Sequence, residues 1–155
     1  PVSHESHKTK STSYTCNQPN PKLVTSLEQV RINVEKKHRQ FLDARTSGRF
    51  SGTEPEPRPG LRGGHVPGSK NLPFQDMLQT NNNMELKSAN DLRKLFADKE
   101  IDLSRPIISS CGSGVTAAVL YFSLHLLGYD IVSVYDGSWT EWSGQDDTPV
   151  VTGVE

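Results

Sequence analysis

The chain has 155 residues and carries 17 Lys and Arg against 18 Asp and Glu, a formal net charge of −1. That length holds one domain with a core of its own, and the balanced charge excludes a basic nucleic-acid surface or a polybasic membrane anchor. No apolar run approaches the roughly 20 residues needed to cross a bilayer, and Cys16 and Cys111 lie too far apart for a disulfide framework or a metal site, so a reducing compartment is expected.

Residues 1–21 are polar, rich in Ser, Thr, Lys and His, and end in Asn-Gln-Pro-Asn-Pro. This is the composition of a linker or arm. Pro1 stands where a methionine would start a chain, which points to a boundary with more sequence upstream. Ser13–Cys16 is a candidate short strand, and His4 and His7 read as solvated arm residues. The domain proper is expected over residues 22–143. Leu23, Leu27, Val30 and Val34 recur at helical spacing with charged residues opposite through Lys37, which predicts an amphipathic helix. Phe41–Arg45 predicts a strand running into a loop. Thr46–Asn71 is crowded with glycine and proline and nearly free of apolar residues, so a long loop is expected. Long ordered loops in compact domains usually carry function.

Leu72–Met77 predicts a short turn. Ser88 caps a predicted helix over Ala89–Asp98, with Leu92, Leu95 and Phe96 on one face. Ile107-Ile108 then reads as a buried strand, and the apolar run after Thr116 as a buried helix closed by Gly128. Ile131–Tyr135 is the next strand, with a short helix around Glu141-Trp142. Residues 144–155 read as a polar C-terminal tail. Strands alternating with helices predict an α/β domain with a largely parallel sheet. In such sheets ligands bind beyond the carboxyl ends of the strands.

The chemistry concentrates at one such end, in Cys111-Gly112-Ser113-Gly114-Val115-Thr116. Glycines at 112 and 114 let the backbone turn sharply and aim successive N–H groups at one point. The incoming helix adds the positive end of its dipole there. A thiolate held in such a place is stabilised, so Cys111 is a candidate nucleophile in an anion-binding cradle. A lone cysteine is more often a small buried hydrophobe; the flanking pattern argues for chemistry.

The loop CGSGVTA, together with DARTSGRFSGTEPEPRPG, GHVPGSKNLPF and YDGSWTEW, resembles the rhodanese sulfurtransferase family across about positions 13–143. More narrowly it is similar to the C-terminal catalytic domain of two-domain 3-mercaptopyruvate sulfurtransferases. The resemblance implies a rhodanese-like fold, a five-stranded, mostly parallel sheet flanked by helices. It implies that Cys111 takes sulfur from a small donor as a persulfide and passes it to a thiol, a protein acceptor or cyanide. No cofactor, metal, nucleic acid or membrane enters this chemistry. It also implies an N-terminal rhodanese domain, absent from this chain, that closes the site. Without that domain, donor binding or turnover is expected to be weak. A cytoplasmic or mitochondrial location is expected.

Thiosulfate-type members of the family carry basic residues after the cysteine, which suit a dianion. Here Gly112 and Ser113 are uncharged, as in mercaptopyruvate enzymes. The resemblance assigns Ser113 a proton-relay part toward the departing enolate, with helix capping as its alternative. For Thr116 capping is the favoured reading. Arg49 and Arg58 match the family's carboxylate- and carbonyl-binding arginines, a task suited to the planar guanidinium fork. Asp43, Arg45 and His65 are expected to be structural, and Trp139 and Trp142 to form core and pocket wall. Asp136 and Gly137 are expected to shape the loop near the site. A cysteine phosphatase would need a longer loop closed by arginine, and position 117 is Ala. A non-enzymatic binding module would commonly lack the cysteine. A thiosulfate sulfurtransferase, or a persulfide carrier for tRNA or cofactor thiolation, differs only in donor or acceptor and stays open.

Overall fold

The computed structural model describes residues 9–15, 18, 20–79 and 84–153. Five strands form the sheet: β1 (Val24–Thr25), β2 (Gln40–Asp43), β3 (Ser69–Asn71), β4 (Ile107–Ser110) and β5 (Val132–Tyr135). Their order is β1-β5-β4-β2-β3, and every pairing is parallel. Among the described residues five α-helices flank them: α1 (Leu27–Lys36), α2 (Ser47–Ser51), α3 (Ala89–Asp98), α4 (Ala117–Leu126) and α5 (Ser138–Ser143).

Alternation along the strands splits the core in two. Leu42, Ile107 and Val132 face one side, against Leu92 and Phe96 of α3 and Leu120 and Leu124 of α4. Phe41, Ile108 and Tyr135 face the other, against Val30 of α1 and Trp139 and Trp142 of α5. Period-2 side chains on a sheet covered on both faces leave little polar freedom in the central strands. β4, all of it buried, is the middle strand and delivers its carboxyl end to Cys111.

The helix expected from Leu23 starts later. Ser26 and Gln29 form a capping box, Ser26 Oγ accepting from the Gln29 N–H and Gln29 Oε1 from the Ser26 N–H at 2.9 Å. Leu23 closes a 3-10 turn, and Val24 enters the edge strand β1. The Asn33 side chain then clamps the Arg39 backbone, and the Arg39 guanidinium ties Thr25, Ser133 and the Ile107 carbonyl together across β1, β5 and β4.

Other expectations change too. The long loop of 46–71 contains α2, and its end is β3, paired with β2 from Phe41↔Ser69 to Asp43↔Asn71. Ser13–Thr15 form no strand and are exposed, while Cys16, His4 and His7 lie outside the described residues. Residues 144–153 are folded onto the domain rather than forming a tail. Thr148 is buried, Val151 bridges His65, and the Trp142 Nε1–H donates to the Pro149 carbonyl. Arg62 locks this segment by donating to the carbonyls of Ser143, Gln145 and Thr148. Among the described residues, no helix is long and apolar enough to cross a membrane.

Candidate active site

β2, β4 and β5 are neighbours, so the segments leaving their carboxyl ends meet above the sheet. The register pairs Asp43 with Ser110, which puts Ala44 level with Cys111 and Arg45 one residue beyond. α5 organises the cysteine loop from beside. The unpaired N–H groups of its first turn, Trp139 and Thr140, donate to the carbonyls of Cys111 and Gly112 at 2.9 and 3.0 Å. The Thr140 hydroxyl adds a second bond to the Gly112 carbonyl at 2.6 Å. With its carbonyls held outward, the loop turns N–H groups inward.

Ser138 fixes the underside of the loop. It sits at φ 50°, an uncommon value for a residue other than glycine. Its Oγ donates to the Tyr135 carbonyl and accepts from the N–H groups of Cys111 and Gly114 at 3.1 and 2.9 Å. Gly114, at φ +82°, lies against Asp136, whose carbonyl oxygen is 2.7 Å from where a Cβ would sit. Only glycine fits that conformation and that approach.

Cys111 itself is 2% exposed. Burial pushes its thiol up, but hydrogen bonds from the Thr116 hydroxyl and from the N–H groups of Ser113, Ala117 and Thr116 outweigh this. The net result is a thiol held below its ordinary value. Thr116 stands at the N-cap position of α4 yet makes no cap bond, and its hydroxyl lowers the Cys111 thiol. The capping expectation for Thr116 therefore fails. Ser113 does not cap either: α4 begins only at Ala117, and the Ser113 side chain is exposed at the rim.

The sulfur faces an open depression of about 400 Å³ lined by Cys111, Gly112, Ser113, Val115, Thr116, Pro57, Arg49 and Arg58. The structure thus brings the cysteine loop and both candidate arginines to one place. The Arg49 Nη2 lies 2.8 Å from where a Cβ on Gly112 would sit. Arg58 donates from Nη1 to Thr140 Oγ1 at 3.1 Å.

Beneath them runs a chain of buried charge. Arg45, with no side-chain exposure, pairs with Asp43 at 2.6 Å and Glu56 at 2.8 Å, and stacks on Trp139. Glu56 in turn holds Arg49 at 2.6 Å. Asp43 and Arg45 are structural, as expected. His65 is structural too: it is fully buried, stacked on Phe50, with Nδ1 bonded to the Phe50 carbonyl. Trp139 and Trp142 are core residues and do not line the depression. Sequence reasoning passes over Glu56, Ser138 and Thr140. A glutamate between prolines looks solvated, and a serine after glycine looks like an ordinary turn residue.

A parallel α/β sheet with one activated thiol at the end of its middle strand defines a cysteine-centred cradle. The chain belongs to the rhodanese-like domain family, which matches residues 26–145. It is 50% identical over 130 residues to the mitochondrial thiosulfate/3-mercaptopyruvate sulfurtransferase 1 of Arabidopsis thaliana, covering 84% of this chain and 34% of that one. It is 46% identical over 125 residues to the 3-mercaptopyruvate sulfurtransferase of Mus musculus, covering 81% of this chain and 41% of that one. The sulfur transferase subunit of yeast mitochondrial complex I superposes with a TM-score of 0.80 at 42% identity, over 92% of this chain and 49% of that one. The chain therefore spans less than half the length of these relatives.

Proposed function

We propose that this chain moves sulfur from 3-mercaptopyruvate to a thiol or cyanide through a persulfide on Cys111. The observation that carries the proposal is Cys111 at the foot of a depression walled by Arg49 and Arg58, with its thiol drawn below the ordinary value by the Thr116 hydroxyl and the loop N–H groups. The Cys111 thiolate attacks the donor sulfur, an S–S bond forms, and the C–S bond breaks. The electron pair leaves with the pyruvate enolate, which takes a proton at carbon to become pyruvate. Arg49 and Arg58 hold the donor's carboxylate and ketone oxygen. Ser113, exposed at the rim, relays that proton in this reading. An acceptor thiolate or cyanide then attacks the outer sulfur and releases Cys111 as thiolate. The N–H groups of the loop face sulfur charge in both half-reactions and need no rearrangement between them.

Thiosulfate is the second donor reading, favoured by the Arabidopsis relative whose name carries both donors. Delivery of the persulfide to tRNA or cofactor thiolation would use the same first half-reaction. The open depression and the greater length of the relatives support a further segment of a longer chain as its cover. A mitochondrial or cytoplasmic setting belongs to the same reading.

The test is thiocyanate formation with mercaptopyruvate and with thiosulfate, compared between the chain and Cys111→Ser. Activity lost in the variant, with one sulfur added to Cys111 by mass spectrometry after donor treatment, is the expected result. Sulfur found on Cys16, or turnover surviving in Cys111→Ser, overturns the proposal.

A further inference from the structure

We infer that Glu56 sets the positive charge that the depression offers a donor, and so selects singly charged donors over doubly charged ones. This rests on the sulfur-transfer reading above and adds a positioning residue to it. The Glu56 side chain is 2% exposed, and its two oxygens are divided between two guanidinium groups: Oε1 accepts from Arg45 Nη1 at 2.8 Å and Oε2 from Arg49 Nη2 at 2.6 Å. Arg49 Nε also reaches Oε1, at 3.3 Å. The Arg49 fork is thereby pinned against the Gly112 backbone, beside the nucleophile.

The charges can be counted from these contacts. Asp43 and Glu56 balance Arg45 and Arg49 in one network, buried except where Arg49 reaches the depression. Apart from Cys111, the charged groups lining the depression are Arg49 and Arg58. Arg58 is exposed, bonded to the neutral Thr140 hydroxyl, and in no ion pair among the described residues. One uncompensated cation therefore faces the donor. That matches the single carboxylate of a keto-acid donor and leaves one charge of a dianion unmatched, next to a thiolate.

Glu56→Gln keeps the shape and removes the carboxylate, leaving the Arg49 charge uncompensated. The added charge acts twice as strongly on a dianion as on a monoanion, so kcat/KM for thiosulfate over mercaptopyruvate should rise about tenfold after screening. Glu56→Asp keeps the charge but cannot span both arginines, so it should raise KM for mercaptopyruvate and leave the ratio unchanged. A second readout needs no sulfur transfer: the rate of Cys111 alkylation by anionic iodoacetate over neutral iodoacetamide. Glu56→Gln should raise that ratio by a similar factor, about tenfold, since the reagents again differ by one charge.

If turnover is absent but the alkylation ratio shifts, the sulfur-transfer reading fails and the assignment of Glu56 stands. If turnover persists and both ratios stay at wild-type values, the assignment is overturned. Should Glu56→Gln fail to fold, Arg58→Gln on the exposed loop decides. Removing the one uncompensated cation should lower the iodoacetate preference about tenfold, and an unchanged preference overturns the inference.

Discussion

Thr116→Val isolates the side-chain part of the Cys111 cradle. Valine keeps the branched shape and removes one hydroxyl. Because that hydroxyl makes no cap bond to α4, the change costs the helix nothing at its N-terminus. A hydrogen bond to a charged group contributes about 1.5–3 kcal/mol, and 1.36 kcal/mol corresponds to one pKa unit. The thiol midpoint should therefore move up, toward and past the ordinary thiol value. At neutral pH the alkylation of Cys111 by iodoacetamide should slow accordingly, while its rate at high pH, where every thiol is ionised, should match wild type.

The same shift has a stability signature. Burial raises the Cys111 thiol, and the hydroxyl and N–H donors lower it further than burial raises it, so the folded value lies below the unfolded one. A group depressed on folding contributes stability that is present above its unfolded value and lost as pH falls through its folded value. Wild type should therefore gain stability over Thr116→Val as pH rises toward the ordinary thiol value of about 8.5. Urea midpoints measured across that range give the difference directly. An alkylation midpoint that does not move would mean that the backbone N–H groups alone hold the thiolate, and the assignment of Thr116 would be wrong.

Three further outcomes follow from the same geometry. Gly114→Ala forces a side chain into a φ of +82° and onto the Asp136 carbonyl, so thermal unfolding should show a loss above about 1 kcal/mol and the Cys111 alkylation midpoint should rise. Arg49→Ala and Arg58→Ala should each lower kcat/KM for mercaptopyruvate about ten- to a hundred-fold, with Arg→Lys rescuing only in part because a point charge cannot reproduce the fork; full activity in both would remove the arginines from the site. Truncation after Gly144 leaves the Trp142 Nε1–H and the Arg62 guanidinium without their acceptors at Pro149, Gln145 and Thr148. Each buried group left unpaired costs about 1–3 kcal/mol, so a shortened chain that melts with wild type would show that the segment is dispensable.

What the sequence makes legible is whatever repeats or punctuates. α4 is a long apolar run closed by Gly128, β4 and β5 are short apolar stretches that run into glycine turns, and α3 carries a serine cap with a clean apolar face. The start of α1 is a sequence signal as well, since Ser26-x-x-Gln29 is a capping box, but the apolar spacing from Leu23 overrides it. β1 and β3 have two and three residues, too short for any periodicity to register, and they are strands because β5 and β2 offer them edges. The segment 144–153 looks polar, yet its backbone carbonyls and the Thr148 hydroxyl accept from Arg62 and Trp142, contacts that no local pattern encodes. The same blindness hides Glu56. Its burial depends on two arginines, one eleven and one seven residues earlier, that only the folded loop brings to it.

In the proposed sulfur transfer the site divides its work between backbone and side chains. Sulfur charge is met by N–H groups and the Thr116 hydroxyl, which are fixed by the strand-to-helix turn and indifferent to the donor. Donor charge is to be met by Arg49 and Arg58, which reach in from a separate loop, Arg49 being held by Glu56. The two systems touch at Gly112, where a Cβ would meet the Arg49 Nη2 at 2.8 Å. A side chain at position 112 and the present placement of Arg49 are therefore mutually exclusive. A loop with a basic residue at that position would bring its own cation and expel this one. Donor preference in this scaffold can change at the rim, by exchanging one cation for another, without rebuilding the cradle that makes Cys111 a nucleophile.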